Sequence, residues 1–327
     1  MKEYLDFEKP LRELEERINR LKRSGSLKKS VRDQIRKQTA RLHELETELY
    51  SQLTPWQRSQ IARHPERPSL SNYVGLITQN FLELHGDRVF GDDQAIMGGF
   101  ALFQERPVMI IGQEKGKTLK ERMRRNFGMP NPEGYRKALR LMKMAEKFQR
   151  PIITFIDTPG AYPGLDAEQR GQAEAIARNL MTMARLRVPI IAVITGEGGS
   201  GGALALGVAD RVMILEHSIY SVISPEGCAA ILWGDASKAS QAASALKLTA
   251  SELFKLGIVD HVITEPMGGA HRDAETTAQR LQEILDSTLQ QLSHIPTETL
   301  LHERDQKFRK MEAIRYLQET TETKTSS

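Results

Sequence analysis

The segment Thr195-Gly196-Glu197-Gly198-Gly199-Ser200-Gly201-Gly202-Ala203 can do chemistry without a reactive side chain, because five of its nine residues are glycine. Glycine has no Cβ and tolerates positive φ, so such a segment can bring bare backbone amides against a ligand. The small residues Ala203 to Ala205 predict the start of a helix. Its first amide hydrogens have no intrahelical acceptor and, with the helix dipole, stabilise negative charge. Two kinds of anion suit such a place. A fixed phosphate would make it a binding site; an oxyanion that exists only during a reaction would make it a catalyst, with donors worth roughly 3 to 4 kcal/mol each. The blander alternative is that the glycines only permit tight helix-strand packing.

Two further loops have the same logic. Phe155-Ile156-Asp157-Thr158-Pro159-Gly160-Ala161-Tyr162-Pro163-Gly164 follows an apolar run, and its prolines and glycines fix an irregular path where open α/β sheets place ligands. In Ser221-Val222-Ile223-Ser224-Pro225-Glu226-Gly227-Cys228, Pro225 and Glu226 suit a helix's first turn. Three strand-to-turn-to-helix junctions imply one shared rim. Gly198, Gly199, Ser200, Pro159, Gly160, Ala161, Ser224 and Pro225 are expected to line it.

Positioning that rim requires buried strands. Short runs rich in Val and Ile predict them at 95–102, 107–111, 152–156, 190–194, 212–215 and 220–223, with helical patterns at 134–148, 169–184, 201–207 and 274–292. The alternation predicts an α/β domain whose strands are flanked by helices on both sides. Residues 73–84 also read as helical. At the start, Leu11, Leu14, Ile18 and Leu21 keep helical spacing, Ser24-Gly25-Ser26 breaks it, and Val31, Ile35, Leu42, Leu45 and Leu49 resume it. The expected organisation is a helical extension over 1–55, a main domain over 56–295, a C-terminal helix over 296–318 and a disordered tail over 319–327.

Bulk properties narrow the function classes. The single cysteine, Cys228, rules out an internal disulfide framework and a multi-cysteine zinc site, so no metal is expected here. A net charge of +4 suits anionic metabolites but comes with no nucleic-acid-binding module. No run approaches the ~20 apolar residues of a membrane span, and the charged start lacks a secretory core, which predicts a cytoplasmic chain, or a stromal one if plastid-encoded.

Several segments together resemble one family. Gly196 to Ala203, Ile156 to Gly164, Asn126-Phe127-Gly128-Met129-Pro130, Pro132 to Arg140, Ser221 to Cys228 with Ile231-Leu232-Trp233, and Gly268-Gly269-Ala270-His271-Arg272 are similar to the alpha-subunit family of bacterial and plastid acetyl-CoA carboxylase carboxyltransferases. The resemblance implies a crotonase-like α/β fold of repeated strand-strand-helix units, with the N-terminal helical hairpin and C-terminal helices added. It implies transfer of a carboxyl group from carboxybiotin, borne by a separate biotin carboxyl carrier protein, to acetyl-CoA, giving malonyl-CoA for fatty-acid biosynthesis. The biotin is then a cofactor not covalently attached to this chain. Gly201 and Gly202 map to a backbone oxyanion hole facing biotin, and the ureido nitrogen of biotin can serve as the base. The implied partners are a zinc-ribbon beta subunit, the carrier and biotin carboxylase, with an alpha2beta2 heterotetramer at the centre.

Three motifs compete with this reading. Gly112-Gln113-Glu114-Lys115-Gly116-Lys117-Thr118 looks like a phosphate-binding loop and Asp157-Thr158-Pro159-Gly160 like a GTPase switch, making a P-loop GTPase the runner-up. The first loop is one residue short, and no guanine-reading Asn-Lys-x-Asp accompanies it. Met142-Lys143-Met144 matches biotin acceptors, yet Lys143 falls on the polar side of a helical pattern. Lys115, Lys117, Lys120, Arg122, Arg124 and Arg125 form a dense positive stretch, either a solvated helix face or an attractor for CoA phosphates or an acidic carrier surface. His64, His85, His217 and His271 read as structural or surface residues.

Overall fold

The computed structural model describes residues 3–23 and 29–322. Among them, eight strands form one sheet: β1 (Gln79–Glu83), β2 (Ile96–Phe103), β3 (Arg106–Gln113), β4 (Ile152–Thr158), β5 (Ile190–Gly199), β6 (Arg211–Leu215), β7 (Ile219–Ser221) and β8 (His261–Ile263). Their order is β1-β2-β3-β4-β5-β6-β8, with β7 attached to β5. The β1-β2 and β2-β3 pairs are antiparallel, and all the others are parallel.

A parallel strand covered on both faces has no position that can stay polar. β4 accordingly is buried at every residue. Period-two alternation then divides the core into two layers. Ile110, Phe155 and Val193 point to one face, where Leu281, Leu285 and Leu289 of helix Ala274–Ser293 cover them. Met109, Ile111, Ile156 and Ile194 point to the other, beneath Ala138, Leu141, Met142 and Ala145 of helix Pro132–Lys147. Lys143 stands on the exposed side of that helix, away from any hairpin turn of the kind a biotin acceptor requires.

Two stretches depart from the sequence expectation. β5 does not stop at Ile194. It continues through Gly199, pairing Gly198 with Thr158 of β4 and residues 197–199 with β7. The glycine-rich stretch is therefore strand for half its length, because bare glycines let neighbouring strands close in from both sides. Residues 73–84 are also divided: helix Leu70–Ile77 ends before Thr78, and β1 takes over by pairing Leu82 with Phe100. β8, only three residues long, was below the reach of periodicity.

The chain ends are tied to this body by polar anchors. Helices Lys9–Arg23 and Lys29–Ser51 form the expected hairpin, burying Leu11 and Ile18. The Ser24-Gly25-Ser26 break lies outside the described residues. At the hairpin base the Tyr50 hydroxyl donates to buried Glu8, which also accepts from Arg272 at 3.4 Å. Helix Thr297–Glu322 runs four residues into the expected tail, whose remainder, 323–327, is also outside the described residues. Arg304, 1% exposed, fastens this helix. Its five N–H groups reach both carboxylate oxygens of Asp210, at 2.7 and 2.8 Å, and the carbonyls of Met183, Leu186 and Val188. A buried charge is tolerable when every donor is matched in this way.

Three histidines are packed neutral inside this frame. His64 stacks on His271 with ring centres 3.9 Å apart, and His217 is buried beside Arg58. Burial lowers the pKa of His64 and His217; burial, the repulsion a protonated His64 would exert and the nearby Arg272 charge lower that of His271 to about 3. Each folded value lies below the unfolded one of about 6.5, so below that pH the unfolded chain binds more protons and stability falls as pH falls. Urea melts between pH 7 and 5 should show unfolding free energy declining on acidification. His271→Phe should flatten that slope by up to one proton, about 1.4 kcal/mol per pH unit; an unchanged slope would count against the neutral packing.

Candidate active site

Three strand ends converge at one edge of the sheet. β4 passes into the loop 159–164, β5 into helix Ser200–Leu204, and β7 into helix Pro225–Trp233. Pairing of Gly199 with Ser221 sets the last two junctions side by side. The corner at the end of β5 is sharp. Ser200 occupies the left-handed region at φ 50°, rare for a residue with a Cβ and a sign of local strain. Just beyond it, the amide hydrogens of Gly201 and Gly202 lie in the helix's first turn, and among the described residues no acceptor takes either one.

The two glycines are glycine for different reasons. A Cβ on Gly202 would lie 2.5 Å from the Gly160 carbonyl carbon and 2.6 Å from the Ala161 nitrogen. A Cβ on Gly201 would meet only the Ile176 side chain, at 3.6 Å. Gly202 and Gly199 thus press directly on the backbone of Pro159–Ala161, whereas Gly201 faces open space. Thr158 shapes that loop from below: its hydroxyl donates to the Gly160 carbonyl at 2.7 Å and accepts from the Gly160 amide at 3.0 Å.

Two cavities flank this joint. Ser200 and Gly201 line an apolar groove of about 640 Å³, walled by Leu204, Tyr220, Val222 and Phe308. Pro159 lines a polar cavity of about 250 Å³ with Arg63, Lys115, Arg122, Asp157 and Glu197. Gly198, Gly199, Gly160 and Ala161 make up the backbone joint between them. Ser224 and Pro225 line neither cavity: the Ser224 hydroxyl accepts from the Gly227 amide at 3.0 Å as a helix cap, and Pro225 is buried in the first turn.

Side chains that the sequence did not single out hold the joint. Buried Gln113 donates to the Gly202 carbonyl at 3.1 Å and accepts from the Asp157 amide at 3.2 Å, bridging the elbow to β4. Asp157 accepts from the Glu197 amide at 2.9 Å and from Lys115 at 2.6 Å. Glu197 takes Arg63 at 2.7 Å, and Arg63 also reaches Glu226 at 2.6 Å. Beneath them Arg67 makes a two-pronged pair with Glu265 and donates to the Thr195 carbonyl at 2.6 Å. Burial would raise the Glu265 carboxyl, but the Arg67 guanidinium and the His217 amide bring it down to about 2. A charged residue ending an otherwise apolar strand, as Asp157 does, was the available signal.

The competing phosphate-loop reading is not realised. Gly112 lies inside β3, paired with Met97 and Phe155, so its segment is ladder rather than loop. Lys115 is spent on Asp157. Among the described residues, no group of three or more His, Cys, Asp or Glu is placed to hold a metal, and no helix is long and apolar enough to cross a membrane.

The differing surroundings of the two glycines are testable by thermal denaturation. Gly202→Ala should lose about 1 to 3 kcal/mol through overpacking against a backbone that cannot yield. Gly201→Ala should melt within a degree or two of the parent. Equal melting points for the two variants would refute the backbone contact.

Comparison with known proteins accords with this geometry. Residues 4–312 match the family model described as acetyl co-enzyme A carboxylase carboxyltransferase-like. The chain is 57% identical over 307 residues to the acetyl-coenzyme A carboxylase carboxyl transferase subunit alpha of Geobacter metallireducens, covering 94% of this chain and 96% of that one. It is 56% identical over 317 residues to the corresponding subunit of Geobacillus thermodenitrificans, covering 97% and 98%. Solved structures share the fold at low identity. Transcarboxylase 12S superposes with a TM-score of 0.57 at 19% identity over 69% of this chain, which spans 42% of the transcarboxylase chain. A Pseudomonas malonate decarboxylase hetero-tetramer in complex with coenzyme A gives 0.56 at 18% identity, covering 71% of this chain and 93% of that one. The fold is the crotonase-like α/β arrangement, and the chain belongs to the family of acetyl-coenzyme A carboxylase carboxyl transferase alpha subunits.

Proposed function

We propose that this chain, joined to a beta subunit, transfers a carboxyl group from carboxybiotin on a separate carrier protein to acetyl-CoA, giving malonyl-CoA. The observation that carries the reading is the pair of acceptor-free amides at Gly201 and Gly202, one of which opens on an apolar groove of about 640 Å³. A groove of that size suits a small cofactor arm. Biotin supplies the transferable carboxyl, and its departure leaves charge on the ureido oxygen. The chain's part is electrostatic: preorganised N–H donors at a helix start meet that oxygen in a place with little water, at no cost of reorientation. Ser200 and the joint Gly198, Gly199, Pro159, Gly160 and Ala161 hold the donors still, and the capped helix at Ser224 and Pro225 braces them.

The groove supplies apolar walls and donors for one anion; the enolate of acetyl-CoA is a second anion, and we assign its donors to the beta subunit. Val222, which lines the groove, is 75% exposed, and Ile231 and Leu232 of the helix after β7 are 75% and 63% exposed, apolar surface suited to a permanent partner. We assign this surface to the beta subunit, in an alpha2beta2 assembly that meets biotin carboxylase only through the carrier. We further assign the hairpin 1–55 to assembly rather than chemistry, with 56–295 as the catalytic unit and the C-terminal helix lending Phe308 and Met311 to the groove wall.

The test is reconstitution with the beta subunit, following malonyl-CoA-dependent carboxylation of free biotin. Neither chain alone should turn over. Gly201→Val should cut kcat by about a hundredfold or more, the loss typical of a blocked oxyanion donor, while the complex still assembles. Parental rates in that variant would sink the assignment.

A further inference from the structure

Helix Leu119–Arg124 and the turn that follows it present an unusual face. Leu119 and Met123, one helical turn apart, are 68% and 65% exposed, and Phe127, beyond the helix end, is 44% exposed, so three apolar side chains stand on the surface close together in the chain. Lys117, Lys120 and Arg124 interleave with them along the chain, exposed, and among the described residues none of their side chains enters an ion pair. Their neighbours are committed: Lys115 to Asp157, Arg122 to the carbonyls of Pro65 and Gly116, and Arg125 to the carbonyl of Gln94. Phe127 is held outward at a price in backbone strain, because Asn126 and Phe127 are both left-handed, at φ 46° and 54°. The patch also adjoins the rim, since Phe127 and Arg122 line the polar cavity together with Pro159 and Glu197.

We propose that this mixed cationic and apolar face is the docking surface for an acidic carrier domain that brings the biotin arm to the rim. The proposal rests on the carboxyl-transfer reading above. A small anion such as a nucleotide phosphate is bound in concave sites, whereas here three flexible, exposed cations interleave with exposed apolar side chains on the surface. Apolar and charged side chains together are the material of a protein contact. A carrier must arrive and leave in every turnover, and opposite charge speeds arrival without making release slow. The exposed apolar side chains of Val222, Ile231 and Leu232 have a different character and are left to the permanent partner.

Reconstituted complex carrying K117E, K120E and R124E together tests this, because none of the three touches the groove. With biotinylated carrier as substrate, KM should rise about tenfold or more at low salt, and the difference should shrink to about twofold near 0.5 M salt. KM for malonyl-CoA and turnover of free biotin should stay at parental values. Met123→Ser should raise the carrier KM with little dependence on salt. An unchanged carrier KM overturns the proposal. So does a rise in the malonyl-CoA KM, which would assign the face to nucleotide phosphates, or loss of the beta subunit on gel filtration, which would assign it to the subunit interface. Turnover of free biotin reports separately on the carboxyl-transfer reading, so the two can fail independently.

Discussion

Main chain laid directly on main chain is the constraint that organises this molecule. Where Gly199 and Gly202 meet Pro159–Ala161, there is no room for a side chain on the glycine side. Strands normally keep about 4.8 Å between them and leave their side chains to fill the layers above and below. Here the extension of β5 keeps Gly198 paired with Thr158 of β4 and takes β7 as a further partner, and the gap that a bulkier residue would prop open is closed. The closure brings three strand ends close enough to share one rim. Gln113 and Asp157 then bolt the two backbones through hydrogen bonds from buried side chains, which are stronger and less forgiving in a low dielectric than in water.

The same economy governs charge. The carboxylates beneath the rim each face a cation, and the deepest pair, Arg67 with Glu265, is matched at both prongs. Such pairs add little net stability over well-packed apolar residues, but once built they are intolerant of rearrangement, because an orphaned buried charge costs several kcal/mol. Arg67 ties β5 at Thr195 to the loop beyond β8, and Arg63 ties Glu197 to the helix that follows β7. The network therefore fixes where the elbow points more than how stable the domain is. Stability comes from the two apolar layers, and direction comes from the ions.

Much of this was readable in residue order. The runs of Val and Ile marked six of the eight strands, because strands buried on both faces must be apolar at every position. Pro225 and Glu226 fall in a helix's first turn as local chemistry predicted, although Ser224, expected on the rim, is that helix's cap, and Gly201 and Gly202 lie at a helix start. The misses share a physical cause. Glycine-rich sequence does not distinguish a turn from a strand pressed between close neighbours, so Thr195 to Gly199 read as loop. β1 read as helix because its pairing with β2 is a long-range contact that local periodicity does not register. Gln113 was hidden inside a false phosphate-loop match, and its role depends on two partners from distant parts of the chain.

The groove beside Gly201 has one wall that arrives late. Phe308 and Met311 belong to the helix clasped by Arg304, whereas every strand of the sheet is complete by Ile263. As the ribosome delivers the chain, the sheet can pair and the elbow can form while that wall is still in the exit tunnel or unmade. Until Arg304 reaches Asp210, the nascent protein carries an open apolar trough beside its elbow, and that trough is where a chaperone would find its hold.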